Sequence, residues 1–412
     1  MRKLLLILVI GLLLTVCAIA TSIEPTPAPA PITPTPAPNT TTQTPAFSFT
    51  KTFGSVDWDY ANSVQQTTDG GYIIAGGTDS PGTDGDVYLV KTDGEGNEEW
   101  SRTFGGKEND SASSVQQTAD GGYIIAGDTN SFGAGEFDFY LVKTDREGNE
   151  EWSRTFGGVG WDYADSVQQT TDGGYIIAGG TDSFGAGEFD FYLVKTDGEG
   201  NEEWSRTFGG VGWDYADSVQ QTTDGGYIIA GGTDSFGAGI YDAYLVKTDG
   251  EGNEEWSRTF GGEDNDTADS VQQTADGGYI IAGDTESFGV DGDFYLVKTD
   301  GEGNEEWSRA FGGEETEEAD SVQQTADGGY IIAGYTISYG AGSWDAYLVK
   351  TDGEGNEEWS RAFGGESYDL ASSVQQTADG GYIIAGYTES FGAGNYDVYL
   401  VKTDGEGVVE ER

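Results

Sequence analysis

The chain contains no histidine, one methionine and one cysteine in 412 residues. Each scarcity closes off a class of chemistry. Without histidine there is no Ser-His-Asp set and no imidazole base, and the His ligands that zinc, copper and iron sites favour are missing. The one cysteine, Cys17, lies near the amino terminus, so the rest of the chain has no disulfide and no thiol nucleophile. Any general base must be a carboxylate. Basic residues are few as well: 19 against 73 acidic ones, for a formal charge of -54. Such a surface repels a polyanion at every approach, which excludes nucleic acid as a partner. It suits salty or cation-rich surroundings, multivalent cations or a basic partner. No GxGxxG leads from a strand into a helix, and no phosphate-binding loop occurs.

Proline is concentrated at the start, where eight of nine fall before Phe47. Residues 1–20 carry Arg2 and Lys3, an apolar run over 4–14 and the small-x-small pattern Ala18-Ile19-Ala20, and read as a secretory signal peptide. A rival reading lipidates Cys17 in Leu14-Thr15-Val16-Cys17, although Val16 departs from the small residue expected there. Residues 21–46, mostly Pro, Thr and Ala, cannot build a core and read as an extended linker or stalk. Together these segments place the protein outside the cell or on the outer face of the envelope, touching a membrane only through an N-terminal anchor.

From residue 47 to 412 the chain is a repeat. Gly-Gly-Tyr-Ile-Ile-Ala-Gly returns seven times, each copy led by an aspartate: Asp69, Asp120, Asp172, Asp224, Asp276, Asp327 and Asp379. A period of about 50 residues marks units that bury their faces only against their neighbours. One unit parses into four strands, namely 114–118 (SVQQT), 123–129 (YIIAGDT), 139–144 (FYLVKT) and 151–156 (EWSRTF), with Gly-rich turns between them. The middle two are apolar on both faces, so each small sheet must be covered on both sides. The expected fold is therefore all-β: a seven-bladed β-propeller of four-stranded antiparallel blades. The last repeat lacks its Trp-Ser-Arg-Thr-Phe strand, and Phe49-Thr50-Lys51-Thr52-Phe53 matches it, so the N-terminal strand should complete the last blade and close the ring.

The segment over 89–100, Leu-Val-Lys-Thr-Asp-Gly-Glu-Gly-Asn-Glu-Glu-Trp, resembles the repeat of quinoprotein-like β-propellers. Asp93, Gly96 and Trp100 match the Asp that opens the turn, its Gly and the Trp that docks between blades, with a turn one residue shorter. The DGGYIIAG and SFGAG repeats are similar to those of secreted archaeal and bacterial proteins regarded as cell-surface propellers. The first resemblance implies a fold, and the vicinal cysteines with which many quinoprotein enzymes hold their cofactor are absent here. Trp100 and its equivalents are expected to be wedges between blades.

Two hairpin turns per repeat barely vary, whereas the loop between second and third strands and the passage to the next blade do. Both emerge on one face, which is where a ligand is expected. The passages carry Trp58, Asp59 and Tyr60, then Trp161, Asp162 and Tyr163, then Trp213, Asp214 and Tyr215, rings beside carboxylates that suit glycan stacking or a protein partner. The same rings could instead seal gaps between blades. Blades three and four are identical over 152–187 and 204–239, so a site in one should recur in the other.

Acidic residues recur on that face in two sets. Asp59, Asp110, Asp162, Asp214, Asp266, Glu317 and Asp369 precede a repeated Ala; Asp86, Asp138, Asp190, Asp242, Asp293, Asp345 and Asp397 precede the Tyr of the third strand. Oxygen ligands of this kind could hold Ca2+, or could cap loop amides as Asx turns. No other cofactor is expected. The turn 93–97 opens like a calcium loop but lacks its sixth-position Gly and distant Glu, and is read as a hairpin turn. The sequence points to a non-enzymatic, monomeric recognition or scaffold module that binds a glycan or protein at the cell surface. Its alternatives are a glycoside hydrolase with paired carboxylates, a quinoprotein-like dehydrogenase and a cation-binding surface-layer component.

Overall fold

The computed structural model describes residues 47–79, 85–290 and 292–410. The signal peptide, Cys17 and the linker over 21–46 lie outside them. The described chain is all-β, in seven four-stranded antiparallel sheets. Strand β1 (Phe49–Phe53) is followed by the first blade, β2 (Asp59–Gln66), β3 (Tyr72–Thr78), β4 (Asp86–Thr92) and β5 (Glu98–Phe104), each paired with the next. Blades two to six repeat this order. The seventh takes three strands from the end of the chain and its outermost from the beginning: β1 pairs with Asp397–Thr403, Phe49 opposite Lys402 and Phe53 opposite Val398. The ring closes as the repeat count predicts.

The apolar middle strands are buried on both faces because each core lies between two blades. Ile73, Ala75, Val87 and Leu89 of the first blade pack against Val115, Tyr123, Ile125 and Val142 of the second. Each fully buried Ile or Leu contributes about 1.5–3 kcal/mol. The tryptophans are wedges, as the resemblance implies. Trp100 meets Tyr123 edge-on at 5.8 Å, and its ring lies so close to Gly148 of the next blade that a Cβ there would overlap it. Arg102 covers the indole at 5.1 Å, a cation–π contact.

The invariance of Ser-Val-Gln-Gln has a cause that lies outside its own sheet. The first strand of each blade is a sheet edge, so alternate amides have no ladder partner. Side chains of neighbouring blades supply them. Val115 donates its N–H to Ser63 Oγ at 3.2 Å, Gln117 to Gln65 Oε1 at 2.6 Å, and Thr68 to Gln117 Oε1 at 2.9 Å. The same three bonds recur at every junction, including that from blade seven to blade one through Ser373, Gln375 and Gln66.

The first strand is longer than the sequence reading. It begins at Asp110 in blade two, not at residue 114, and its register slips between Ala112 and Ser114. That β-bulge hides the alternation which would have marked the strand's first half.

Candidate functional site

The loop-bearing face is built by seven equivalent junctions. At each, the amide of the acid that opens the first strand donates to a carbonyl of the preceding blade: Asp110 to Gly85 at 2.8 Å, Asp162 to Phe137 at 3.0 Å, Asp59 to Tyr396 at 3.0 Å. The accepting residue stands immediately before the acid that opens the third strand. The bond therefore sets the two acidic sets side by side, one member from each blade. Asp86 meets Asp110, Asp138 meets Asp162, Asp190 meets Asp214, Asp242 meets Asp266, Asp293 meets Glu317, Asp345 meets Asp369, and Asp397 meets Asp59. A glycine lies over every pair, and a Cβ on it would collide with both carboxylates.

All fourteen acids are buried. Much of their hydrogen-bonding capacity goes into the loops, the Asx-type role weighed from the sequence. Asp162 Oδ2 accepts the Gly158 N–H and the Ser183 hydroxyl, both at 2.8 Å, and its Oδ1 accepts the Thr181 hydroxyl. Asp138 Oδ2 accepts the amides of Ala134 at 2.8 Å and Gly135 at 2.9 Å. Burial, then the charge of the facing acid, pushes Asp86, Asp190, Asp242, Asp293 and Asp345 above the usual carboxylate range; in all but Asp86 loop amides pull the other way. Among the described residues no group of three or more acids converges as a metal cage.

Above the carboxylates sit the rings. Trp58, Trp161 and Trp213 are 50%, 45% and 47% exposed, half sealing the junction and half facing solvent. Each is matched by the ring that precedes the third-strand acid of the blade before: Trp58 meets Tyr396 edge-on at 4.5 Å, Trp161 meets Phe137 at 6.1 Å, and Trp213 stacks on Phe189 at 5.5 Å. Trp344 and Tyr368 repeat this at another junction. The indole N–H groups of Trp161 and Trp213 donate to Glu136 and Glu188 at 2.5 and 2.8 Å. Asp59, Asp162 and Asp214 lie beneath, in the buried pairs. Tyr60, Tyr163 and Tyr215 belong to the first strand and are half-buried; Tyr60 and Tyr215 fill the space over Gly77 and Gly232. Of the nine candidate ligand residues, the three tryptophans thus present the most surface.

Phe137, Phe189, Trp344 and Tyr396 were not singled out from the sequence. A partial signal lies in comparing repeats: where the passage residue is Asn109 or Thr316 the facing residue is Gly85 or Gly292 in place of a ring, whereas Asn265 still faces a ring, Tyr241.

A second set was also missed. In six blades the bulge leaves one residue of the first strand outside the ladder, and in the fifth Asp269 stands just before the strand; these residues line the central channel, Asn62, Ser113, Asp165, Asp217, Asp269, Asp320 and Ser372, around a cavity of about 380 Å3. Between the fixed Ala and Ser they are the variable position. Four consecutive blades supply carboxylates and three do not, so the sevenfold pattern is broken here. Asp128 and Asp284 join the arc, accepting the amides of Ala164 at 2.9 Å and Ala319 at 2.7 Å from the next blade. Desolvation within the narrow channel and then the neighbouring acids push Asp165, Asp217 and Asp320 well above the usual range, although Asp165 and Asp217 are half-buried and Asp320 is exposed to the channel. Burial likewise raises Asp128 and Asp269 to about 7, against hydrogen bonds that lower them.

No family model matches the chain. The regulatory protein FlaEY of Caulobacter vibrioides is 27% identical over 203 residues, 42% of this chain and 21% of that protein, so the chain spans about a fifth of its length. The WD40 domain of Neurospora crassa Pan2 superposes with a TM-score of 0.54 at 10% identity, covering 87% of this chain and 96% of that one. BamB of Moraxella catarrhalis gives a TM-score of 0.43 at 13% identity, with 85% of each chain covered. At 10% identity the likeness to the Pan2 domain shows the propeller fold alone.

Proposed function

We propose that the protein is a non-enzymatic recognition module, exported to the outer face of the cell envelope, which binds a glycan or protein through its loop-bearing face. The observation that carries this reading is the row of half-exposed indoles at Trp58, Trp161 and Trp213, each steadied by a second ring from the blade before. A ring with one face packed and one face wet loses little freedom when a sugar or apolar side chain settles on it. The carboxylates beneath are engaged with loop amides, which suits holding the loops in place. A propeller is itself a common platform for protein interaction.

A glycan array and a pull-down on cell-wall fractions test this directly. Retention by either, lost in the Trp58→Ala, Trp161→Ala, Trp213→Ala variant while the melting temperature holds, supports it. Absence of retention by both counts against it.

One observation favours a second reading, a glycoside hydrolase. The channel carboxylates break the repeat symmetry, and a carboxyl held near 7, as in Asp269, has the affinity of a general acid. Polysaccharide cleavage abolished by Asp269→Asn but retained in Asp138→Asn would decide for the enzyme.

A further inference from the structure

We propose that the fifth and sixth junctions between consecutive blades are divalent-cation sites, each holding one Ca2+ between the third-strand acid of one blade and the first-strand acid of the next. Asp293 is 5% exposed and Asp345 is 1% exposed. In each, Oδ2 is used by the loop: Asp293 Oδ2 accepts the Val290 N–H at 2.8 Å, and Asp345 Oδ2 accepts those of Ala341 at 2.9 Å and Gly342 at 2.8 Å. Oδ1 is buried and has no hydrogen-bond partner in either residue. That same oxygen faces the acid of the following blade, Glu317 Oε2 or Asp369 Oδ2, across Gly312 or Gly364.

Two buried carboxylates pointed at one another are unfavourable unless a positive charge or a proton lies between them. No lysine supplies it: among the described residues the ion pairs of the buried lysines all go to acids on the opposite hairpin turns and outer strands, such as Lys298 to Asp276 and Glu306, and Lys350 to Asp327 and Glu358. The glycine packs so closely over the pair that no larger residue could stand there without displacing the carboxylates. Hard oxygen donors of net charge -2 match Ca2+, whose six to eight ligands tolerate water and carbonyl oxygens in irregular geometry. Mg2+, which needs a regular octahedron and gives up water reluctantly, fits less well. Because each pair draws one acid from each of two blades, the ion would fasten blades together, adding to stability without touching the half-exposed rings.

The test uses the full chain, freed of metal with chelator and studied at neutral pH in salt near 0.15 M so that exposed acids are screened. Equilibrium dialysis with labelled Ca2+ counts the ions, and a thermal melt reads the fastening. The expected result is saturable binding of at least two ions per chain, one for each of these junctions, and a melting temperature raised by about 5 °C or more at saturating Ca2+. Asp293→Asn with Glu317→Gln should remove one ion from the count. Asp345→Asn with Asp369→Asn should remove one independently, which keeps the test decisive if the first variant does not fold. An ion count unchanged in both variants, or a melt indifferent to Ca2+, overturns the proposal and assigns the positive charge in each pair to a shared proton.

Discussion

Phe49 stands opposite Lys402 in the sheet that joins the two ends of the described chain, and its ring takes the place that Trp100 holds at the next junction. It meets Tyr72 of the first blade at 6.0 Å, as Trp100 meets Tyr123. One strand from the beginning of the repeats thus acts both as the outer edge of blade seven and as the wedge against blade one.

Removing residues 47–54 is expected to lower the melting temperature by well over 10 °C, since it opens the ring and exposes two apolar cores. Phe49→Ala alone should cost about 3–5 kcal/mol, the range for emptying a buried aromatic site. A melt unchanged by the deletion would show that the ends do not fasten one another.

Two glycines separate backbone strain from wedge packing. Gly148 has φ of 75° and lies under Trp100; Gly173 has φ of 90° with nothing within 4 Å of a Cβ position. Alanine at either meets the left-handed backbone penalty of about 1–2 kcal/mol, but only Gly148→Ala also displaces an indole. Chemical denaturation should therefore rank Gly148→Ala below Gly173→Ala by at least 1 kcal/mol or so. Equal losses would remove the wedge from the account.

Stability should peak at mildly acidic pH. Asp128 and Asp269 have folded-state values of about 7, raised above the ordinary 3.8. Their contribution is complete below about pH 4 and is lost as pH rises through about 7. Asp120, Asp172, Asp224 and Asp276 run the other way: burial raises them, yet the adjacent threonine hydroxyl, a glycine amide and the buried lysine outweigh it and hold them at about 2. What they contribute is present above about pH 4 and lost as pH falls towards 2. Melts in chelator should therefore be highest between about pH 4 and 6, and lower at pH 8. Asp128→Asn and Asp269→Asn, which mimic the protonated form, should flatten the alkaline fall. Identical alkaline slopes in wild type and variants would exclude the channel as its source.

Recognition and stability should be separable on the loop-bearing face. Trp161→Ala and Trp213→Ala remove rings that are about half exposed and are expected to shift the melt by less than a buried aromatic would, under about 3 kcal/mol each. Because blades three and four share their sequence there, the two single variants should weaken binding of a repetitive ligand to similar extents. A loss confined to one of them would point to a site set by tertiary position.

The repeat, the strand count and the closing strand follow from the sequence because each depends on periodicity or on a match to the repeat pattern, and the wedge role of the tryptophans follows from the resemblance of their turn to a known repeat. Glycine spacing, the apolar Tyr-Ile-Ile-Ala and the missing last strand carry that information locally. The two acidic sets were visible as well, but as separate lists. What joined Asp293 to Glu317, or Asp345 to Asp369, is a backbone hydrogen bond between blades, and its register appears in no single unit. The channel arc of Asp165, Asp217, Asp269 and Asp320 was hidden for a related reason. A bulge turns one residue out of the ladder, so its direction is decided by pairing with the second strand, and its company by the closing of seven units around a common axis. Sequence thus determined the blade; the ring decided which charges face one another.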